Sequence, residues 1–252
     1  MIPFVATQVR AIIESLRLLE SLVTVPLGLY SDIKMVRESL PFPEAAALSR
    51  EETQERRTAF MTLTDTPHEL ALGTISSIST SLDILETTKG PDGTGPLAAP
   101  WVAQARRVLA RAQARVGGDM RAKSAAKIQG LYVIVDPETT GGRPVAEVAE
   151  ATLSGGASVL QLHDKVHDQR DVLAVARQIK ALCDRYDSLF VMNGDPVLAV
   201  SSDSHGLHLG QSDLPITEAR RILAPRQLVG SSNNSHEEAM ESQTRGVDYL
   251  AL

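Results

Sequence analysis

A chain of 252 residues, 43% hydrophobic and 22% charged, is long enough for one barrel-sized domain or two smaller ones, each with its own core. Its 31 acidic residues outnumber 25 basic ones, and the net charge of −6 argues against a general nucleic-acid-binding surface. The lone cysteine, Cys183, excludes an internal disulfide, and no apolar run approaches the roughly 20 residues that span a bilayer.

The opening MIPFVATQVR lacks the basic start and apolar stretch of a secretory signal, so the expected compartment is the cytoplasm. Val9, Ile12, Ile13, Leu16, Leu19 and Val23 then fall at three- and four-residue spacing and predict an amphipathic helix ended by Pro26 and Gly28. A second helical pattern runs through Ile75, Ile78, Leu82, Ile84 and Leu85. The turn formers Lys89-Gly-Pro-Asp-Gly-Thr-Gly-Pro96 predict a loop, and Val102, Ala105, Val108, Leu109 and Ala112 mark a third helix. Arg106, Arg107, Arg111 and Arg115 are expected to form its solvated face. Residues 1–127 therefore read as an all-α domain with a loop near 89–100.

The pattern changes at Gly130. Leu131-Tyr-Val-Ile-Val135 has the short, β-rich apolar character of a buried parallel strand. A helix through Val145, Val148, Ala149 and Thr152 follows, ending at Gly155-Gly156, and then a strand over Ala157–Leu162. Val172, Val175, Ala176, Ile179, Leu182, Cys183 and Tyr186 form the clearest apolar stripe in the chain. Four more strand candidates are Ser188–Met192, Gly206–Leu209, Gln227–Gly230 and Asp248–Leu252. Ser235 with Glu238 has the spacing of a capping box for the last helix, and Gly246 stands at its expected end. Alternating strands and helices over 128–252 predict a parallel sheet with helical crossovers. Cys183 on the apolar stripe reads as core, and His208, between Leu207 and Leu209, should face the opposite side of its strand.

Five segments in this half carry a resemblance. Gly155-Gly-Ala-Ser-Val-Leu-Gln-Leu-His-Asp-Lys165 resembles the GGA…QLREK signature of thiamine phosphate synthases, and Val191-Met-Asn-Gly-Asp195 resembles their IINDR. Gly206-Leu-His-Leu-Gly-Gln-Ser-Asp-Leu-Pro215 is close to GVHLGQ-x-DLP. Val229-Gly-Ser-Ser-Asn-Asn234 is similar to IGVSTH, and Gly246-Val-Asp-Tyr-Leu-Ala-Leu252 to GADYIGLGP. All five keep the family's order and spacing across 130–252.

The resemblance implies an α/β fold, an incomplete (β/α)8 barrel of about six strands behind the helical domain. It implies a Mg2+-dependent transferase that joins hydroxymethylpyrimidine diphosphate to thiazole phosphate and releases pyrophosphate. By the same resemblance, Gln161 and Lys165 match diphosphate contacts, Asn193 precedes the first metal carboxylate, Asp213 matches the second, and Ser232 lies near the reacting groups. Lys165 and Ser232 are the expected catalytic residues. Gln161, His163, Lys165, Asn193 and Ser232 are the expected diphosphate contacts.

Three departures stand out. His163 replaces an arginine, which loses a permanent bidentate charge. Gly194 replaces the first metal-binding aspartate, leaving Asp195 as the substitute partner for Asp213. The written sequence stops before the family's GP-x-FPT-x-TK segment and its last glycine-rich loops, so these residues alone are not expected to complete the reaction. Two other readings stay open: a thiazole tautomerase on the same scaffold, and a non-enzymatic chain whose helical half mediates association. Expected partners are the two small-molecule substrates, with no nucleic acid or membrane; self-association into a homo-oligomer stays open. More loosely, Val9–Glu20 and Leu63–Leu70 resemble a helical extension that precedes some bacterial synthases.

Overall fold

The computed structural model describes residues 3–22, 28–40, 67–88 and 95–252. Val23, Pro26, Leu63–Thr66 and Lys89–Thr94, all used in the sequence reading, lie outside them. The chain divides into two compact units, Met1–Gly117 and Gly118–Leu252.

Helices α1 (Pro3–Leu22), α2 (Tyr30–Glu38), α3 (Pro67–Thr87) and α4 (Ala99–Ala125) account for the first unit and the start of the second. The expected stripes are buried: Val9, Ile12, Ile13, Leu16 and Leu19 on α1, Ile75, Ile78, Leu82 and Leu85 on α3, and Val102, Ala105, Val108, Leu109 and Ala112 on α4. Helix α2 escaped the sequence reading because only Ile33 and Val36 are buried in its nine residues, too few for a period to show. It is held by the Trp101 indole N–H, which donates to the Val36 carbonyl at 3.1 Å, and by an Arg37–Glu20 ion pair. The arginine face of α4 is not simply solvated. Arg106 meets Asp83 at 2.6 Å and also Glu86, while Arg111 meets Asp32 at 2.7 Å. These pairs are exposed, so each stabilises little.

The second unit holds strands β1 (Tyr132–Val135), β2 (Val159–Leu162), β3 (Leu189–Asn193), β4 (Gly206–Leu209), β5 (Leu228–Ser232) and β6 (Tyr249–Ala251). Helices α5 (Val145–Ser154), α6 (Gln169–Arg185), α7 (Pro196–Ser201), α8 (Ile216–Ile222) and α9 (His236–Thr244) connect β2 through β6 to their predecessors. Neighbouring strands are parallel and stand in the order β1-β2-β3-β4-β5-β6. A doubly wound sheet reverses its strand order at a switch point, whereas this order never reverses; it is the winding of a (β/α) barrel.

Alternation sorts the strand residues onto two faces. Val135, Leu160, Leu162, Phe190, Met192, Leu207, Leu209 and Val229 pack with Ala149, Leu153, Ala176, Ile179 and Cys183 of the covering helices. On the other face Val159, Leu189, Val191 and Leu228 form a small apolar layer near the strand starts, joined by Tyr132, Ala125 and Ile128. That packing draws the last turns of α4 into the second unit. The Cys183 thiol, buried in the helix layer, is pushed up to about 12, far from a reactive thiolate. Tyr186 departs from the predicted stripe: it follows the end of α6 and is exposed. The capping box at α9 forms in a shifted version, with Ser235 accepting the Glu238 N–H at 3.2 Å and Glu238 accepting from Asn234, not Ser235.

His205, between α7 and β4, is a structural histidine whose Nδ1 accepts the Phe190 N–H at 2.9 Å. Burial lowers its pKa to about 4. Since the folded value lies below the unfolded value near 6.5, the unfolded chain binds the extra proton as pH falls. Stability from this group is therefore full above pH 6.5 and lost as pH drops towards 4, by about 3 kcal/mol. Urea unfolding at pH 7 and pH 4.5 checks this. His205→Asn, whose carbonyl retains the acceptor, is expected to show a shallower acid decline; superimposable declines would clear His205 of that role.

Candidate functional site

Above the small apolar layer the inner face turns polar, and each of the six strands contributes one side chain. Gln161 on β2 accepts the Tyr132 hydroxyl of β1 on Oε1 at 2.7 Å and donates from Nε2 to Asn193 Oδ1 of β3 at 2.9 Å. The Tyr132 and Tyr249 hydroxyls, from the two outermost strands, lie 3.1 Å apart. Tyr249 on β6 meets His208 Nδ1 of β4 at 3.1 Å, and His208 Nε2 meets Ser232 Oγ of β5 at 2.8 Å. Asn193, His208, Gly230 and Tyr249 share one level of the register. Gly230 has no side chain, and the Tyr249 ring occupies the vacated space: a Cβ on Gly230 would lie 2.0 Å from Tyr249 Cζ.

Burial governs the electrostatics. It pushes the Tyr132 phenol up to about 12, raises that of Tyr249 further, and lowers the His208 imidazole, an effect that Asp213 partly opposes. At neutral pH both phenols are protonated and the imidazole is uncharged. Among the described residues no buried side-chain nitrogen or oxygen lacks a hydrogen-bond partner.

The strand ends form the rim. After β2, Asp164 accepts the N–H groups of Val166 and His167, both at 3.1 Å, and so builds the turn that exposes Lys165. His163 Nδ1 is held by Asp136 Oδ2 at 2.7 Å, and this contact lowers the Asp136 pKa. After β4, Asp213 accepts the Gly210 N–H on Oδ2 at 2.7 Å; it does not cap α8. Gln211 ties that loop to the Ser232 carbonyl at the end of β5.

Asp195 is engaged at the start of the helix that follows β3. Its Oδ1 caps α7, accepting from Val197 and Leu198 at 2.8 and 3.0 Å, and its Oδ2 accepts from Gln169 at 3.0 Å. An Asp immediately before a proline-started helix is a cap by preference, and that local demand sets its rotamer. Gly194, by contrast, faces Asp213: a Cβ there would lie 3.4 Å from Asp213 Oδ2. The position beside Asp213 is therefore one that carries no side chain. Among the described residues no three His, Cys, Asp or Glu side chains converge as a metal site.

Gly194→Asp tests this geometry. Gly194 has φ +72°, a left-handed conformation that Asp tolerates better than most residues. Without metal the variant is expected to melt below the parent, because two carboxylates crowd each other and the backbone is strained by about 1 kcal/mol or more. Millimolar Mg2+ or Mn2+ should restore the melting temperature in the variant and move the parent much less. Equal shifts in both proteins would mean that position 194 does not face a cation site.

Residues 131–252 match the family model described as thiamine monophosphate synthase. The chain is 38% identical over 122 residues to the thiamine-phosphate synthase of Shouchella clausii, covering 48% of this chain and 58% of that protein. Residues 131–252, just under half of this chain, are thus similar to the thiamine monophosphate synthase family. The thiamine-phosphate synthase of Methanospirillum hungatei is 38% identical over 124 residues, covering 49% of this chain and 60% of the relative. The thiamine biosynthesis bifunctional protein ThiED of Geobacter sulfurreducens is 39% identical over 132 residues, 52% of this chain and 26% of that protein. Among solved structures, the thiamine phosphate pyrophosphorylase from Pyrococcus furiosus aligns with TM-score 0.47 and 34% identity, over 50% of this chain and 60% of that one. The chain spans less than two thirds of the length of these relatives.

Within the stretch that matches this family model the structure joins Gln161, Asn193 and Ser232 through one network and places Asp213 beside Gly194. Lys165 and His163 stand on the turn after β2, and Asp195 turns to its helix. Sequence reasoning passed over Tyr132, Tyr249 and Asp136. A tyrosine inside an apolar strand reads as core, and only its inward alternation with the rest of β1 or β6 hints at more.

Proposed function

We propose that this chain carries the diphosphate-binding part of a thiamine phosphate synthase, a cytoplasmic transferase that joins hydroxymethylpyrimidine diphosphate to thiazole phosphate with release of pyrophosphate. The observation that supports it most directly is the strand-end set Gln161, Asn193 and Ser232, held in one hydrogen-bond network. Donors and cations at a barrel rim suit a departing polyanion. In this reading Lys165 neutralises charge on the diphosphate, the Asn193 amide donates to it, and Ser232 positions the reacting end of the substrate. His163, fixed by Asp136, supplies a weaker contact than the family's arginine.

Asp213 is the residue that would hold Mg2+. One carboxylate suffices only if the diphosphate supplies further oxygens, which is a usual arrangement for this ion. Bound there, Mg2+ would offset charge building on the leaving group. Residues 1–127 form a separate helical domain in this proposal, ahead of a partial barrel over 128–252. The synthase names of the relatives favour this reading over the tautomerase and over a purely associative role.

Calorimetric titration of the chain with magnesium pyrophosphate tests the subsite, and pyrophosphate release from both substrates tests the reaction. Lys165→Ala is expected to weaken binding about 10- to 100-fold, the worth of a charge-assisted hydrogen bond. Absence of binding by the parent, or no loss in Lys165→Ala and Asp213→Asn, would overturn the proposal.

A further inference from the structure

The six-strand network has a direction, and we infer that it makes the two ends of the site chemically unlike: a hydrogen-bond donor at Asn193 and a pure acceptor at Ser232. The argument is a count of protons. Gln161 Oε1 can only accept, so the single Tyr132 hydroxyl proton goes to it. The 3.1 Å contact between the phenols is then a bond only if Tyr249 donates to Tyr132. With that proton committed, Tyr249 accepts from His208, whose Nδ1 must carry hydrogen. An uncharged His208 then has a bare Nε2, which accepts the Ser232 hydroxyl proton at 2.8 Å. At the other end Gln161 donates to Asn193 Oδ1, which leaves the Asn193 amide N–H groups uncommitted.

Rotating the Gln161 amide by half a turn would reverse every bond in the series and present oxygen at Asn193. A polyanion at that end disfavours the reversed series, because it meets a carbonyl in place of a donor. The choice of direction thus rests on the diphosphate reading above. It assigns Tyr249 and Tyr132 as positioning residues: neither is offered as touching substrate, yet together they set the tautomer of His208. It also sets specificity. Whatever substrate group meets Ser232 must itself bring an N–H or O–H, since the serine's only proton is engaged.

Histidine tautomers are read directly from 15N-resolved NMR of the imidazole rings, without substrate or turnover. In the full chain, with His208→Gln identifying the resonance, His208 is expected as the neutral Nδ1–H form, with and without magnesium pyrophosphate. Tyr249→Phe, checked for folding by its thermal melt, should lose this preference and give averaged nitrogen signals. Ser232→Ala should keep it, because the direction is imposed from the tyrosine side. An Nε2–H form, an imidazolium, or an unchanged tautomer in Tyr249→Phe would each overturn the inference. Failure of pyrophosphate binding with an Nδ1–H His208 would count against the diphosphate reading and leave the ordering of the network standing.

Discussion

Gly230→Ala is expected to destabilise the strand unit by about 3 kcal/mol or more, well beyond an ordinary glycine-to-alanine change in a strand. The added methyl would lie 2.0 Å from Tyr249 Cζ and 2.4 Å from both Cε atoms. No rotation of a flexible side-chain end relieves this, because the ring is held at its hydroxyl by Tyr132 and His208. Either β5 and β6 separate, or the ring leaves and buried polar groups lose their partners. Urea unfolding measures the loss. The clash is isolated by repeating the change in a Tyr249→Ala background, where it should cost far less. Equal costs in both backgrounds would show that the tyrosine ring does not lie over Gly230.

Asp248→Ala is the second large effect. The aspartate immediately precedes β6, where Oδ1 meets Arg121 Nε at 3.1 Å, while Oδ2 meets Arg220 and accepts the Val229 N–H at 2.8 Å. All three charged side chains are four-fifths or more buried, so solvent and salt screen them weakly. Removing the carboxylate leaves two guanidinium groups facing each other with only Pro225, Gln227 and Gly246 carbonyls to satisfy them. The expected loss is about 3–5 kcal/mol, the usual result of breaking one side of a buried ionic group. Asp248→Asn should fall between parent and alanine, since its carbonyl can still accept the Val229 N–H. A loss below about 1 kcal/mol for the alanine variant would place these charges in the exposed class.

Both effects concern residues that local pattern does not mark. Gly230 was read only as part of a strand signature, and Asp248 as the first residue of the last strand. Asp195 shows the same limit from the other direction: its place in the motif suggested a metal role, and in the folded chain its carboxylate caps the helix that Pro196 begins. Gly194 was legible as a departure, but its approach to Asp213 joins residues from consecutive strand ends and needed the folded chain.

The periodicities of the chain by themselves determined the helical start, the strand–helix alternation from residue 130 and the direction of His208 opposite to Leu207 and Leu209, because a helix period of 3.6 and a strand period of 2 are local properties. Five strand-end motifs likewise carry the resemblance of residues 130–252 to thiamine phosphate synthases. Only the tertiary structure decided which inward side chains meet. That depends on the stagger between neighbouring strands, on Tyr249 crossing over a residue with no side chain, and on two outermost strands bringing their hydroxyls together. Those contacts join positions up to 117 residues apart, and no local preference encodes them.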